Sequence, residues 1–218
     1  MHSRLRSAVS RHRWERAGAP STDSLATAAV AARVRTRRYF DQRPYPPGEH
    51  GRGTDRRNTG DYGLRLLEKQ KLRWYYDVSE RQLRRYWDLA VRKPGASGAE
   101  LVTLLESRLA SVLLRAGLAP SIYAARQYIC HGHIAVDGRK VDIPSYLVRP
   151  GQVVTDRERS RGMAPFVAAA EGVHADERIA PYLSVDHAGL SVTLTHRPER
   201  EQITVPVDEQ LVVEFYSR

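Results

Sequence analysis

Apolar residues between positions 97 and 132 recur with the spacing of two amphipathic helices. Ser97 and Glu100 form an S-x-x-E capping box, so we predict that the first helix begins there, and Gly117 is placed to end it. Ser121 is placed to cap the second helix and Gly132 to end it. The apolar positions are Leu101, Leu104, Leu105, Leu109, Val112 and Leu113 in the first helix and Ile122, Ala125, Tyr128 and Ile129 in the second.

Strand-like patterns follow residue 133. Residues 134–136 and 141–143 flank Asp137-Gly138, a dipeptide that tolerates the positive φ of a two-residue hairpin turn. The remaining elements that we predict are strands over 144–148, 153–155 and 190–195 and a short helix over 163–172. The last segment, 207–218, is apolar but too short to fold alone, so we expect it to pack against an earlier element.

Two further helices are predicted before residue 94. Helical spacing runs through 61–76, and Ser79 with Gln82 forms a capping box ahead of the second helix. Pro94-Gly95 breaks that helix and marks a domain boundary. Residues 43–60 are rich in Pro, Gly and Arg, which predicts an extended basic arm. The apolar stripe of the second helix is predicted to be Leu83, Tyr86, Trp87, Ala90 and Val91.

Charge is distributed unevenly along the chain. The formal net charge is +10, made up of +5 in residues 1–36, +6 in 37–92, +4 in 93–161 and −5 in 162–218. A basic surface is suited to neutralising phosphates, whereas an acidic one repels them. We therefore expect the first three quarters of the chain to bind nucleic acid and the C-terminal quarter to face protein.

Arginines alternate with aromatic residues in the two early helices. Guanidinium groups bind backbone phosphate, and aromatic planes stack on unpaired bases, so the mixture indicates RNA. The competing interpretation is a solvated charged face over an aromatic core. The residues concerned are Arg81, Arg84 and Arg85 with Trp74, Tyr75, Tyr76 and Trp87.

Other functional classes find little support in the sequence. The single cysteine, Cys130, excludes a disulfide framework, and with His131 and His133 it supplies too few ligands for tetrahedral zinc. No phosphate-binding loop, nucleophile elbow or metalloprotease motif occurs, so we predict no catalytic residue, metal or cofactor. A DNA-binding helix-turn-helix would continue into a helix and not into a hairpin. No apolar run approaches ~18 residues, so no membrane span is predicted.

The N-terminal segment allows two interpretations. Residues 1–38 are rich in Arg and Ser, with Glu15 and Asp23 as the only acidic residues, a composition found in organellar transit peptides. It is also the composition of a disordered RNA-binding tail. We favour the tail because no clear cleavage signal follows the Ala-rich stretch 25–32.

A series of short blocks resembles the bacterial small-subunit ribosomal protein four family. The same RNA-binding module occurs in pseudouridine synthases and tyrosyl-tRNA synthetases. The blocks are Arg43-Pro-Tyr-Pro-Pro-Gly-Glu-His-Gly51, Leu67-Glu-Lys-Gln-Lys-Leu-Arg73, Glu80-Arg-Gln-Leu83, Leu104-Leu-Glu-Ser-Arg-Leu109, Ala125-Arg-Gln127, His131-Gly-His133, Pro144-Ser-Tyr146 and Leu211-Val-Val-Glu-Phe-Tyr-Ser217.

The resemblance implies an α+β fold, in which a helical domain carries an inserted RNA-binding module of two helices and an antiparallel sheet. Residues 1–42 would be a basic, disordered tail, and 43–97 the arm and helical domain, completed by 199–218. Residues 98–161 would form the module and 162–198 the remainder of the α+β domain.

The resemblance also implies a structural component of the small ribosomal subunit that binds rRNA, nucleates assembly and contributes to decoding fidelity. Its partners would be small-subunit rRNA, neighbouring ribosomal proteins and mRNA near the point where it enters the subunit. The location would be the cytoplasmic ribosome, or an organellar ribosome if residues 1–38 are a transit peptide. The expected RNA-binding residues are Arg43, Tyr45, His50, Arg52, Arg56, Arg57, Lys69, Lys71, Arg73, Arg81, Arg84, Arg85, Arg108, Ser121, Arg126, Gln127, His131, His133, Arg139 and Lys140.

The chain departs from the family pattern at several points. Residues 1–42 do not match the family's usual start, and the Cys-rich zinc knuckle of some members is missing. These differences suggest a divergent, zinc-free paralogue. One alternative stays open, a free RNA-binding translational regulator or stress paralogue. An RNA-modifying enzyme that uses the same module is less favoured, because the segments outside the module hold no catalytic constellation.

Overall fold

The computed structural model describes residues 60–174, 179–205 and 207–217. The predicted tail, and the arm up to residue 59, lie outside these residues. Five helices come first and pack around a shared apolar core, and a five-stranded antiparallel sheet follows them. The first helices are α1 (Asp61–Tyr75), α2 (Glu80–Val91), α3 (Ser97–Glu106), α4 (Leu109–Arg115) and α5 (Ile122–Cys130).

The second half of the chain alternates short strands and helices. The strands are β1 (Ile134–Val136), β2 (Arg139–Lys140), β3 (Val153–Asp156), β4 (Leu183–Asp186) and β5 (Ser191–Leu194), and their order across the sheet is β2-β1-β3-β5-β4. The helices are α6 (Glu158–Arg161), α7 (Ala164–Ala170), the 3₁₀ turn Arg200–Gln202 and α8 (Glu209–Tyr216). The predicted α+β fold is therefore confirmed.

Side-chain caps fix two helix starts as the sequence predicted. Ser79 and Gln82 form a reciprocal capping box at α2. The hydroxyl of Ser121 accepts a hydrogen bond from the Ala124 amide at 3.1 Å, which caps α5. Gly117 and Gly132 adopt φ values of +70° and +71° where α4 and α5 end, a conformation that costs a residue with a Cβ atom free energy.

The first helix of the module differs from its prediction in two ways. Ser97 is the first helical residue, and Ala96 occupies the N-cap without a side-chain hydrogen bond, so the predicted capping box is wrong. The single helix expected up to residue 116 is broken between α3 and α4. At the break, the Leu109 amide donates to the Tyr146 carbonyl, and the Val148 amide donates to the Ser107 carbonyl, both at 2.8 Å. Helical periodicity continues across the break because both helices bury the same stripe.

The hairpin turn forms at Asp137-Gly138, where φ is +49° and +77°, as a two-residue primed turn requires. Such a turn pairs Val136 directly with Arg139, so the second strand is Arg139–Lys140 and not 141–143 as predicted. Residues 144–148 also do not form the predicted strand. Leu147 makes an isolated bridge to Arg108, and Pro144 has no amide hydrogen to give to a ladder.

The C-terminal helix completes the helical domain, as expected. Arg65 of α1 donates to the Glu214 carboxylate at 2.6 Å, and the Tyr62 ring lies 6.0 Å from that of Phe215. The Asp208 amide donates to Glu68 at 3.1 Å. A helix of eight residues is marginal in water alone, so these contacts with α1 explain why it forms.

A buried carboxylate joins the helical domain to the sheet. Glu106, at the end of α3, is fully buried and accepts hydrogen bonds from the Tyr76 hydroxyl at 2.8 Å and the Tyr182 hydroxyl at 3.1 Å. The Arg115 guanidinium donates to both oxygens of the same carboxylate. Burial and the nearby Glu106 raise the pKa of both tyrosines, so their hydroxyls remain donors.

We predict that Glu106→Gln lowers the free energy of unfolding by about 3 kcal/mol or more, because it leaves the Arg115 guanidinium without its buried counter-charge. Urea denaturation followed by circular dichroism measures this. Glu201→Gln, at an exposed carboxylate, is the matched control and should change stability by less than ~0.5 kcal/mol. Equal effects of the two substitutions would contradict this role for Glu106.

A second buried carboxylate has no compensating contacts. Asp156 of β3 is 2% exposed, lies opposite Ile134, and neither of its oxygens finds a hydrogen-bond partner among the described residues. Burial raises its pKa from 3.8 to about 7, against the opposing charge of Arg161. Between pH 3.8 and about pH 7 the folded protein keeps a proton on Asp156 that the unfolded chain has released. This bound proton stabilises the folded state fully below pH 3.8, and the stabilisation is lost as the pH rises to about 7.

Asp156→Asn should remove this pH dependence. From pH 4 to pH 8, the unfolding free energy of the variant should rise by roughly 2–4 kcal/mol relative to that of the wild type. Denaturant titrations at pH steps across that range measure it. Asp88→Asn, on the exposed face of α2, should keep the wild-type slope, and a variant at position 156 with the same slope would refute the assignment.

Candidate nucleic-acid interface

Three arginines of α2 face solvent. Arg81, Arg84 and Arg85 are exposed, and none of them makes a hydrogen bond or an ion pair with another described residue. Their positions follow from the apolar stripe of the helix, which buries Leu83, Tyr86, Trp87 and Ala90. Val91, predicted to belong to that stripe, is instead 52% exposed, because the stripe ends one residue earlier.

The aromatic residues near these arginines belong mainly to the core. Tyr76 and Trp87 are buried, and Trp87 stacks on Tyr216 with ring centroids 5.3 Å apart. The Tyr75 hydroxyl accepts a hydrogen bond from Arg115 at 2.6 Å. The competing interpretation, a charged face over an aromatic core, therefore describes these rings better than a platform for stacking bases.

The cations of α1 are held within the protein. Lys69 is buried, its ammonium lies 3.1 Å from a Glu80 carboxylate oxygen, and it is 4.2 Å from the centre of the Phe215 ring. Lys71 forms an ion pair with Glu68, and Arg73 donates to Gln70 at 2.9 Å and to Glu80 at 3.3 Å. Burial opposes ionisation of Glu80, but hydrogen bonds from Lys69 and Tyr216 outweigh it and lower the pKa.

Arg108 is also an internal residue. It is 3% exposed, donates to the Tyr76 carbonyl at 2.9 Å, and its guanidinium lies 5.8 Å from the centre of the Tyr86 ring. Burial lowers the pKa of this guanidinium, and the neighbouring Tyr86 and Asp77 oppose that shift. The residue fixes the break between α3 and α4 against the end of α1.

Helix α5 presents its polar face beside α2. Arg126 is exposed and donates to the Asp77 carboxylate at 2.9 Å, which connects α5 to the turn that precedes α2. Gln127, Cys130 and His131 are exposed on the same helix or at its end. The ion pair between Arg126 and Asp77 therefore places the exposed side of α5 close to the turn that leads into α2, the helix that carries Arg81, Arg84 and Arg85.

The end of α5 meets the hairpin in a second group of basic residues. The rings of His131 and His133 are 6.1 Å apart, and His133 shares a hydrogen bond of 2.8 Å with Ser160. The Lys140 side chain crosses the backbone of Gly132 so closely that a Cβ atom there would collide with it. Arg139 is exposed on the same hairpin.

Arg157 and Arg159 were not among the predicted site residues. Their charges act on His133, whose pKa is lowered by burial first and then by His131, Arg159 and Arg157. The run Arg157-Glu-Arg-Ser-Arg161 directly after a predicted strand was the available signal. The predicted arm residues Arg43, Tyr45, His50, Arg52, Arg56 and Arg57 lie outside the described residues.

Two other kinds of site are absent from residues 60–174, 179–205 and 207–217. No group of three or more His, Cys, Asp or Glu side chains in these ranges is arranged to hold a metal ion. No helix there is both long and apolar enough to cross a membrane.

Comparison with known proteins identifies the family. Residues 12–106 match the ribosomal protein S4/S9 N-terminal domain, and residues 107–154 match the S4 domain. The chain is 64% identical over 181 residues to the small ribosomal subunit protein uS4 of Thermobifida fusca, which covers 83% of this chain and 89% of the relative. The uS4 protein of Streptomyces griseus is 48% identical over 91% of this chain and 97% of its own length.

The chain belongs to the uS4 family. This membership confirms the resemblance seen in the sequence and the function class inferred from it, an rRNA-binding structural protein of the small ribosomal subunit and not an enzyme. The two matched domains meet between Glu106 and Ser107, so the buried Glu106 carboxylate lies where the S4 domain of this uS4 chain begins.

Arg108 and Arg126 provide a matched pair for separating internal arginines from surface ones. Arg108→Ala should lower the free energy of unfolding by about 2–4 kcal/mol, because it removes a buried packing group and leaves the Tyr76 carbonyl without its donor. Arg126→Ala, at an exposed ion pair, should change it by less than about 1 kcal/mol. Thermal and urea unfolding of both variants give the comparison, and similar stabilities for the two would contradict the assignment.

Proposed function

We propose that this uS4-family protein binds small-subunit rRNA through one basic face, formed by Arg81, Arg84, Arg85, Arg126, Gln127 and His131. The observation that carries the proposal is the set of three exposed α2 arginines without a hydrogen bond or ion pair to other described residues, on the helix that follows Asp77, the ion-pair partner of Arg126. Cations without internal counter-charges release counterions when they meet phosphate, which is the main source of affinity for RNA backbone. Arg139 and Lys140 extend the face onto the hairpin.

The other predicted site residues divide into two groups. We propose that Lys69, Lys71, Arg73, Arg108, Ser121 and His133 act by positioning the basic face, since each has a described partner inside the protein. The arm residues Arg43, Tyr45, His50, Arg52, Arg56 and Arg57 are proposed as further rRNA contacts on the family resemblance alone.

Finer roles of the protein follow as part of the same proposal. We propose that it nucleates assembly of the subunit, contributes to decoding fidelity and contacts mRNA near its point of entrance. Contacts with neighbouring ribosomal proteins would use the acidic side chains of 162–218, a segment with a net charge of −5, because carboxylates repel phosphate.

The alternative role, a free RNA-binding regulator, can be tested directly against the ribosomal one. Sedimentation of cell extract after a high-salt wash distinguishes the two. A subunit component co-migrates with small subunits in stoichiometric amount, whereas a regulator is found in the light fractions.

Replacing Arg81, Arg84 and Arg85 together with Ala should weaken binding to a small-subunit rRNA fragment and leave the circular dichroism spectrum unchanged, since Ala keeps helix propensity. The slope of log affinity against log salt should fall by roughly 2–3, because each phosphate that the variant no longer neutralises accounts for about 0.7–0.9 of that slope. Filter binding between low and moderate salt measures both quantities.

The matched control replaces the same three arginines with Lys, which keeps the charge and should retain most of the salt slope. Wild-type affinity in the alanine variant would contradict the proposal. Loss of helical signal in that variant would show that the arginines stabilise the fold and would equally refute their assignment to RNA.

A further inference from the structure

The outer face of the sheet is mainly polar and is partly exposed within the described residues. Pairing across the strands fixes which side chains share this face. One row runs through Lys140, Ala135, Thr155, Ser191 and Asp186, and the next through Val153, Thr193 and Ser184. The opposite face carries Ile134, Val136, Val154 and Val192, which are buried against the helices.

Hydroxyl groups dominate this face. Thr155, Thr193, Ser184 and Ser191 are at least partly exposed, and their hydroxyls make no hydrogen bond to another described residue. Val153, at 37% exposed, is the apolar side chain on these two rows that reaches solvent most. A protein partner would need a larger apolar centre than this to bind here.

Cations gather at one corner of the same face. Arg157 continues the alternation of β3 onto the outer side and donates to the Gly132 carbonyl at 3.3 Å. Arg159 is exposed and has no hydrogen bond or ion pair to a described residue, and Arg161 donates to the Gly189 carbonyl at 3.3 Å. A cleft of about 480 Å³ is lined by these three arginines, by Glu158 and the buried Asp156, and by Ala135, Gly138 and Thr155.

We propose that this sheet face is a second RNA-binding surface, which receives the minor groove of a double-stranded RNA segment. The minor groove of A-form RNA is wide and shallow and exposes rows of 2′-hydroxyl groups, to which serine and threonine hydroxyls can both donate and accept. Arg157 and Arg159 are at the rim, where the backbone phosphates of that groove would lie. The inference rests on the proposed function, and apart from Lys140, which borders both surfaces, it assigns residues that the basic face does not contain.

The two surfaces point in different directions, so each would meet a different part of the RNA. The basic face lies on α2 and α5, whereas the hydroxyl face lies on the side of the sheet turned away from the helices. Tethered cleavage can therefore locate them separately. Cys130 is the chain's one cysteine, so Cys130→Ser removes the native thiol without further changes.

An iron chelate is attached either through Ser184→Cys on the sheet face, in the Cys130→Ser background, or through the native, exposed Cys130 of α5 beside the basic face, and each full-length protein is bound to rRNA. We expect the position 184 tether to cut both strands across one minor groove, at nucleotides distinct from those cut from position 130. Cleavage from 130 alone overturns the second surface and leaves the proposed function standing. Absence of cleavage and of binding in both proteins refutes the proposed function and the inference with it.

A double-mutant cycle tests the hydroxyl contacts directly. Thr155→Val with Thr193→Val removes two hydroxyls and keeps shape and strand propensity. On the RNA, 2′-deoxy substitution at the nucleotides cut from position 184 removes the proposed partners. Each change alone should weaken binding about three- to tenfold, and the two together should weaken it no more than either alone. Independent, multiplicative effects, or unchanged binding by the valine variant, would overturn the inference, and Thr204→Val at an exposed position elsewhere should have no effect.

Discussion

The fully buried carboxylate of Glu106 is the contact on which the arrangement of the two domains depends. It receives hydroxyl hydrogen bonds from the end of α1 and from the residue before β4, and a guanidinium from α4. Three separate parts of the chain therefore share one buried acceptor group. Breaking such a group apart leaves a buried charge uncompensated, which is far more costly than removing a surface ion pair. The relative orientation of helices and sheet is fixed by this requirement.

The basic residues of the chain divide by burial into two kinds. Lys69, Arg108 and Arg115 have internal partners and hold helices together. The α2 arginines have no ion-pair partner among the described residues and stay available for phosphate. Arg108 also lies over the ring of Tyr86, so an internal cation packs against the buried side of the helix that carries the free arginines.

The two surfaces proposed for this uS4-family chain would offer RNA different chemistries. Helices α2 and α5 present charge, which favours phosphate and gives salt-dependent affinity. The outer sheet face presents hydroxyls with cations at one corner, a combination suited to the sugar edge of duplex RNA. The acidic C-terminal quarter contributes α8 to the helical domain. Its excess of carboxylates repels phosphate.

The sequence by itself determined several helix boundaries and the function class. Ser79, Ser121, Gly117 and Gly132 set helix ends through backbone hydrogen bonds and positive φ, which depend on neighbours within a few residues. Ordered blocks such as His131-Gly-His133 indicated the family. Only the tertiary structure decided where the helix breaks at Ser107 and Arg108, because the hydrogen bonds come from residues about 40 positions away. It also decided which cations are free, since helical spacing assigns a side chain to an arc and cannot say whether another helix covers that arc. Lys69, for example, is buried because Phe215 of α8 and Glu80 of α2 lie against its side chain.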